Sequence, residues 1–139
     1  MNEERRSQLL YHFVSQGSYR PVSHEIKVYD RENDNVQIRE GYLFEPDNDR
    51  DEYYTVSPQT LNRIKKVIKD SGILDVNELE EPEYCVEDGT AEEIHFSIDG
   101  RERSFAVDNL FRTYKGISSA SNAAKLIKTV RKINKLIGC

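Results

Sequence analysis

The chain has 139 residues and a formal net charge of -5 at pH 7, with 37% hydrophobic and 32% charged residues. That length suits one domain able to bury about two-thirds of its unfolded surface, and the negative balance argues against nucleic acid or an anionic membrane as partner. The apolar runs fall far short of the roughly 20 residues a membrane-spanning helix needs, and "MNEERRSQLLYHFV" lacks a signal peptide's apolar stretch and cleavage site, so a cytoplasmic protein is expected.

The first patterned segment is "SQLLYHFVSQGSY". Leu9, Leu10, Phe13 and Val14 would suit a helix stopped by Gly17, but the density of aromatic and β-branched residues favours a strand over 8–15. "SHEIKVYDRENDNVQIREGYLF" reads as a hairpin. Ile26 and Val28 alternate on one arm and Val36 and Ile38 on the other, around a polar loop at 31–34. Gly41 in the second arm predicts a bulge or bend. A further strand is expected over 53–56, after the acidic stretch "EPDNDRDEYY".

"VSPQTLNRIKKVIKDSGIL" predicts a helix over 58–71. Ser57 is a good N-cap, and Pro58 suits the first helical position because its missing N–H has no partner there. Leu61, Ile64, Val67 and Ile68 recur at helical spacing, and Gly72 can take the left-handed conformation that ends a helix. The connector that follows is acidic, with nine carboxylates and no Lys or Arg between Asp75 and Glu93. A short strand is expected near 84–87, before an Asp88-Gly89 turn.

In "EEIHFSIDGRERSFAVDNL" the period returns to two. Ile94, Phe96 and Ile98 precede an Asp99-Gly100 turn signal, and Phe105 and Val107 follow it. A two-residue turn and a four-residue loop over 99–102 put the same five residues on one face. The longer loop is preferred, pairing Phe96 with Phe105 and Ile94 with Val107. The last segment, "SSASNAAKLIKTVRKINKLIGC", predicts a helix capped by Ser118, Ser119 or Ser121. Ala123, Leu126, Ile127, Val130, Ile133 and Ile137 form its apolar stripe, with Lys125, Lys128, Lys132 and Lys135 in one sector opposite.

Hairpin-linked strands followed by helices predict an α+β fold. The expected architecture is a single domain over 1–139, with one antiparallel β-sheet of five to seven strands and two helices packed on one face.

Asp47, Asp49 and Asp51 match the first, third and fifth ligand positions of a calcium-binding EF-hand loop. The sixth position, which needs Gly, is Glu52, and the twelfth, which needs Glu, is Pro58. A tight calcium site is therefore not expected, and neither is any other metal or cofactor. His12, His24 and His95 fall at no metal-ligand spacing. Phosphate-loop, zinc-protease and Gly-x-Ser-x-Gly motifs are missing. Cys85 and Cys139 do not amount to a disulfide framework.

The function expected from these residues is a non-catalytic domain that binds another macromolecule, a protein partner or a second copy of the chain. The candidate interaction surface comprises Tyr42, Asp47, Asp49, Asp51, Tyr53 and Tyr54, because a tyrosine ring buries area while its hydroxyl stays hydrogen-bonded. The contrasting expectation is a small enzyme or ligand-binding protein with a sheet–helix pocket drawing on Cys85, Glu93 and His95.

Overall fold

A computed structural model describes residues 9–17, 23–42, 46–82 and 89–139. Six strands, β1 (Leu9–Gly17), β2 (Ser23–Tyr29), β3 (Val36–Gly41), β4 (Arg50–Tyr54), β5 (Thr90–Ile98) and β6 (Arg101–Asp108), form one sheet. Their order is β4-β3-β2-β1-β5-β6, and every neighbouring pair is antiparallel. The helices are α1 (Pro58–Ser71), the one-turn α2 (Leu110–Thr113) and α3 (Asn122–Leu136). The fold is α+β, and α1 and α3 pack on one face of the sheet.

Period-two alternation sets that face. Tyr11 and Phe13 of β1, Ile26 and Val28 of β2, Val36 and Ile38 of β3, Ile94, Phe96 and Ile98 of β5 and Phe105 of β6 are all buried. They meet Leu61, Ile64 and Ile68 of α1 and the predicted stripe of α3, every member of which is buried. Each fully buried aliphatic side chain contributes about 1.5–3 kcal/mol relative to exposure. Tyr11 is fully buried, as is Phe96, and the Tyr11 hydroxyl donates to Asn134 Oδ1 of α3 at 2.9 Å. Burial pushes the Tyr11 phenol well above its ordinary value, which keeps it a neutral donor.

Local signals set both long helices. Ser57 Oγ accepts the Thr60 N–H at 3.1 Å, and Gly72 closes α1 at φ 75°. Of the three candidate serines, Ser121 caps α3 by accepting the Ala124 N–H at 3.0 Å. A second acceptor reaches the same end from far away in sequence. The Glu80 carboxylate takes the N–H groups of Asn122 and Ala123, each at 2.8 Å. Those bonds hold its carboxyl below the usual value. The connector is therefore fastened to α3 by its charge as well as by buried Val76.

Three expectations need correction. The β5–β6 hairpin turns on the two residues Asp99 and Gly100, at φ 52° and 79°. That pairs Ile94 with Phe105 and Phe96 with Arg103. Two successive positive φ angles match the twist of the flanking strands better than a wider loop does. The pairing also brings Arg103 to the Leu74 carbonyl, at 3.1 Å from Nη2, and Arg101 to Asp75 at 2.5 Å. Gly41 marks no bulge, because the β2–β3 register runs unbroken to the Ser23–Gly41 pair. A Cβ there would lie 2.6 Å from Ser23 Oγ, so a larger residue would have to turn that hydroxyl aside. The irregularity lies instead between Leu9 and Tyr11 of β1. The strand expected over 53–56 starts earlier, at Arg50, and stops at Tyr54. Buried Asn35 holds the next segment, accepting from the Val56 N–H and donating to its carbonyl.

β1 confirms the strand favoured over 8–15. The strand expected near 84–87 lies outside the described residues.

Candidate functional site

The face of the sheet away from the helices carries the polar half of each alternation. β4 and β3 present Asp51, Tyr53, Gln37 and Arg39; β2 presents Glu25 and Lys27; β1 presents His12 and Val14. β5 adds Glu93, His95 and Ser97, and β6 adds Glu102, Ser104 and Ala106. Most are half-buried or exposed, and they are linked to one another. Gln37 Nε2 donates to Asp51 Oδ1 at 2.9 Å. Arg39 stands 3.8 Å from both Asp51 and Glu25. Glu25 lies 3.9 Å from Lys27 and takes a 2.5 Å bond from His12 Nε2. Each exposed pair contributes at most about 1 kcal/mol. The signs alternate over β2–β4, whereas Glu93 and Glu102 toward the other edge face no Lys or Arg across the ladder.

The candidate interaction surface at the β4 end divides by strand parity. Tyr53 projects from the open face and is 50% exposed, the large hydrophobic side chain most open to solvent among the described residues. Tyr54 points to the helix side, where its hydroxyl donates to the Ile137 carbonyl. Burial, with the nearby Cys139 thiol, pushes that phenol above its ordinary value. Tyr54 thus fastens the edge strand to the end of α3. Asp49 is occupied by the Tyr42 N–H at 2.8 Å, and Asp51 by Gln37 and Arg39. Arg50 pairs with Glu52 and with Glu40, and those carboxylates hold its guanidinium still more firmly protonated. Asp47 is exposed. The acidity of the stretch is therefore partly neutralised by Arg39 and Arg50, and Asp49, Asp51 and Glu52 are each engaged by a different set of partners. Among the described residues no group of three or more His, Cys, Asp or Glu could hold a metal ion.

The candidate pocket falls elsewhere than expected. His95 and Glu93 line a cavity of 370 Å3 with His12, Val14, Ser104 and Ala106, on the open face rather than between sheet and helices. Cys85 lies outside the described residues. His12 and His95 are directly opposite each other across β1 and β5. His95 Nδ1 is 2.6 Å from Ser104 Oγ, and its Nε2 is 3.7 Å from Glu102 Oε2. Ser104 and His95 are placed as a serine nucleophile and its base would be, but at 3.7 Å Glu102 makes no hydrogen bond to His95 and does not act as an orienting acid. Acyl transfer also needs donors aimed at a developing oxyanion. The strand N–H groups here lie in the plane of the sheet, pointing along the ladder instead of over the hydroxyl.

Sequence patterning missed Ser104, Glu102, Glu25 and His12 as partners of these groups. Their parity was legible, but the pairing of β1 with β5 joins segments about eighty residues apart and leaves no local signal. The basic stripe of α3 was legible, and Lys128, Lys132 and Lys135 stand exposed on its outer side.

No protein-family model matches the chain, and no curated protein is similar to it. Among the described residues no helix is long and apolar enough to cross a membrane.

Proposed function

We propose that the chain is a non-catalytic cytoplasmic domain that binds another protein through the Tyr-bearing end of its sheet, centred on β4. The observation that carries this is the exposure of Tyr53 on an edge strand. A ring left half in water gains most when a partner covers it, and an edge strand offers backbone groups for further pairing. Asp51, two residues away on the same face of β4, adds a polar group suited to an interface rim. A photo-reactive phenylalanine analogue at position 53, irradiated in the native host, tests the proposal. The expected result is one discrete covalent adduct, absent when the analogue sits at exposed Glu102 on β6, the far edge of the sheet. An adduct of twice the chain mass makes the partner a second copy, and labelling equal at both positions defeats the proposal.

A second reading, a small enzyme or ligand-binding protein, is favoured by the Ser104–His95 hydrogen bond beside its cavity. It requires Ser104 to react with a fluorophosphonate, and a Ser104→Ala variant to lose that label. A wild-type protein that takes up no label removes the hydrolytic form of this reading.

A further inference from the structure

A broad concavity lies on the opposite side of the molecule, in the groove between α1 and α3. It encloses 910 Å3, and its lining includes Arg63 and Lys66 of α1 and Lys125, Lys128, Lys132 and Lys135 of α3. Asp70 is the one carboxylate in that lining. A chain of net charge -5 therefore gathers six cations around one groove.

Of the eleven other Lys and Arg among the described residues, six are ion-paired and five, Arg31, Arg103, Arg112, Lys115 and Arg131, are not. Lys27, Arg39, Arg50, Lys65, Lys69 and Arg101 each have a carboxylate within ion-pair distance. Among the described residues none of the six groove cations does. Lys128 and Lys132 are four residues apart on one helix face, a like-charge spacing that destabilises a helix by about 0.2–0.5 kcal/mol. Between the cations, half-buried Val67 and Leu136 contribute apolar surface to the groove.

We infer that this groove binds an acidic amphipathic segment of a partner protein, its apolar side chains on Val67 and Leu136 and its carboxylates among the lysines. Three features favour a polypeptide over other polyanions. The groove has an apolar strip, which a phosphate backbone cannot use. Its lining has no aromatic ring on which a base could stack. Five of the six cations are lysines, point charges without the guanidinium fork that grips phosphate in pairs. The helices, of 14 and 15 residues, are about 21–23 Å long, enough to seat several turns of helix in the groove mode of peptide recognition.

The surface is distinct from the β4 end, so the two can fail separately. The test is fluorescence anisotropy of the whole protein with a labelled 15-residue peptide of Leu, Glu and Asp in an amphipathic helical pattern. A peptide of the same composition in scrambled order, a 20-nucleotide single-stranded DNA and vesicles containing phosphatidylserine are compared with it. The patterned peptide is expected to bind at least about tenfold more tightly than the scrambled one, and a Lys128→Glu/Lys132→Glu variant to lose about tenfold or more. Val67→Ser should weaken the peptide severalfold, while Tyr53→Ala leaves it unchanged. Circular dichroism checks that each variant is folded; should the charge reversal fail to fold, Lys128→Gln/Lys132→Gln replaces it. Equal binding of patterned and scrambled peptides overturns the inference. So does tighter binding of DNA or vesicles, indifference to the lysine changes, or a self-association of the wild type that the lysine changes abolish.

Discussion

The open face of the sheet and the groove between the helices are both rich in charge, yet they handle it in opposite ways. Over β2–β4 of the sheet, acids and bases alternate across strands, and Glu25 by itself stands within 4 Å of three basic side chains. In the groove, six cations surround one acid and none has a partner among the described residues. Strand geometry accounts for part of the contrast, because side chains directly opposite on neighbouring strands are close enough to pair. Helix geometry accounts for the rest. A stripe at 125, 128, 132 and 135 repeats one charge along a ridge, with water in place of a facing strand. Charge that is satisfied within a molecule stabilises it weakly, and charge left unsatisfied is what a partner can use.

That contrast can be broken or sharpened by substitution, and the largest effect comes from beneath both surfaces. Leu126 of α3 is fully buried in the core that supports sheet and groove alike. Leu126→Ala is expected to cost about 2–5 kcal/mol through lost burial and a residual cavity, read as a fall in the urea midpoint at constant m-value. Next is the acid already placed at the positive end of α3. Glu80→Ala is expected to cost about 1 kcal/mol at neutral pH, the usual size of a lost helix cap. Because the folded carboxyl titrates below its unfolded value of 4.5, this contribution is fully present above that value and is lost as pH falls through the folded pKa. Wild type and variant should therefore converge in stability in acid, and a gap that persists at pH 2 would mean Glu80 acts by packing instead.

Smaller effects test the two surfaces directly. Glu25→Gln removes the charge that three basic neighbours share, and thermal melts should show a loss of about 0.5–1 kcal/mol that shrinks in high salt. Lys128→Gln/Lys132→Gln should move stability the other way, from no change to a gain of a few tenths of a kcal/mol, since like-charge repulsion is relieved. A loss above about 1 kcal/mol for the lysine pair would show that the groove, like the sheet, depends on its own charges.

The helices were the most legible elements, for a reason visible in single residues. Ser57, Pro58 and Gly72 each require a particular backbone conformation, so the range 58–71 follows from three positions. Strand existence was legible from alternation, but hairpin register was not. A period of two carries parity only, so lengthening the Asp99-Gly100 turn by two residues leaves the same side chains on the same face. What decided the register was the pair of positive φ angles at the turn, and its consequence is seen in the contacts of Arg101 and Arg103 with the connector. The sites were legible in the same partial way. Tyr53 and the lysines of α3 stood out by composition and spacing. The contribution of Arg63 and Lys66 to the groove, and the meeting of His12 with His95, depend on which elements become neighbours. Charge segregation hid the ion pairs as well, because the "EPDNDRDEYY" carboxylates are matched by Arg39 on another strand as well as by Arg50 of their own.

The position of β1 in the strand order has a consequence for how the chain reaches this fold. β1 is hydrogen-bonded to β2, the next strand in sequence, and to β5, which begins only at Thr90. Four strands and α1 can form from nearby sequence, but the sheet is completed only when that distant hairpin arrives and β1 gains its second neighbour. The Tyr11–Asn134 bond, spanning 123 positions, comes later still in synthesis. Such long-range closure slows folding and exposes an unpaired strand edge in the interval. During vectorial synthesis one side of β1 therefore waits uncovered for roughly the time taken to make eighty residues, about 4–16 seconds at typical elongation rates.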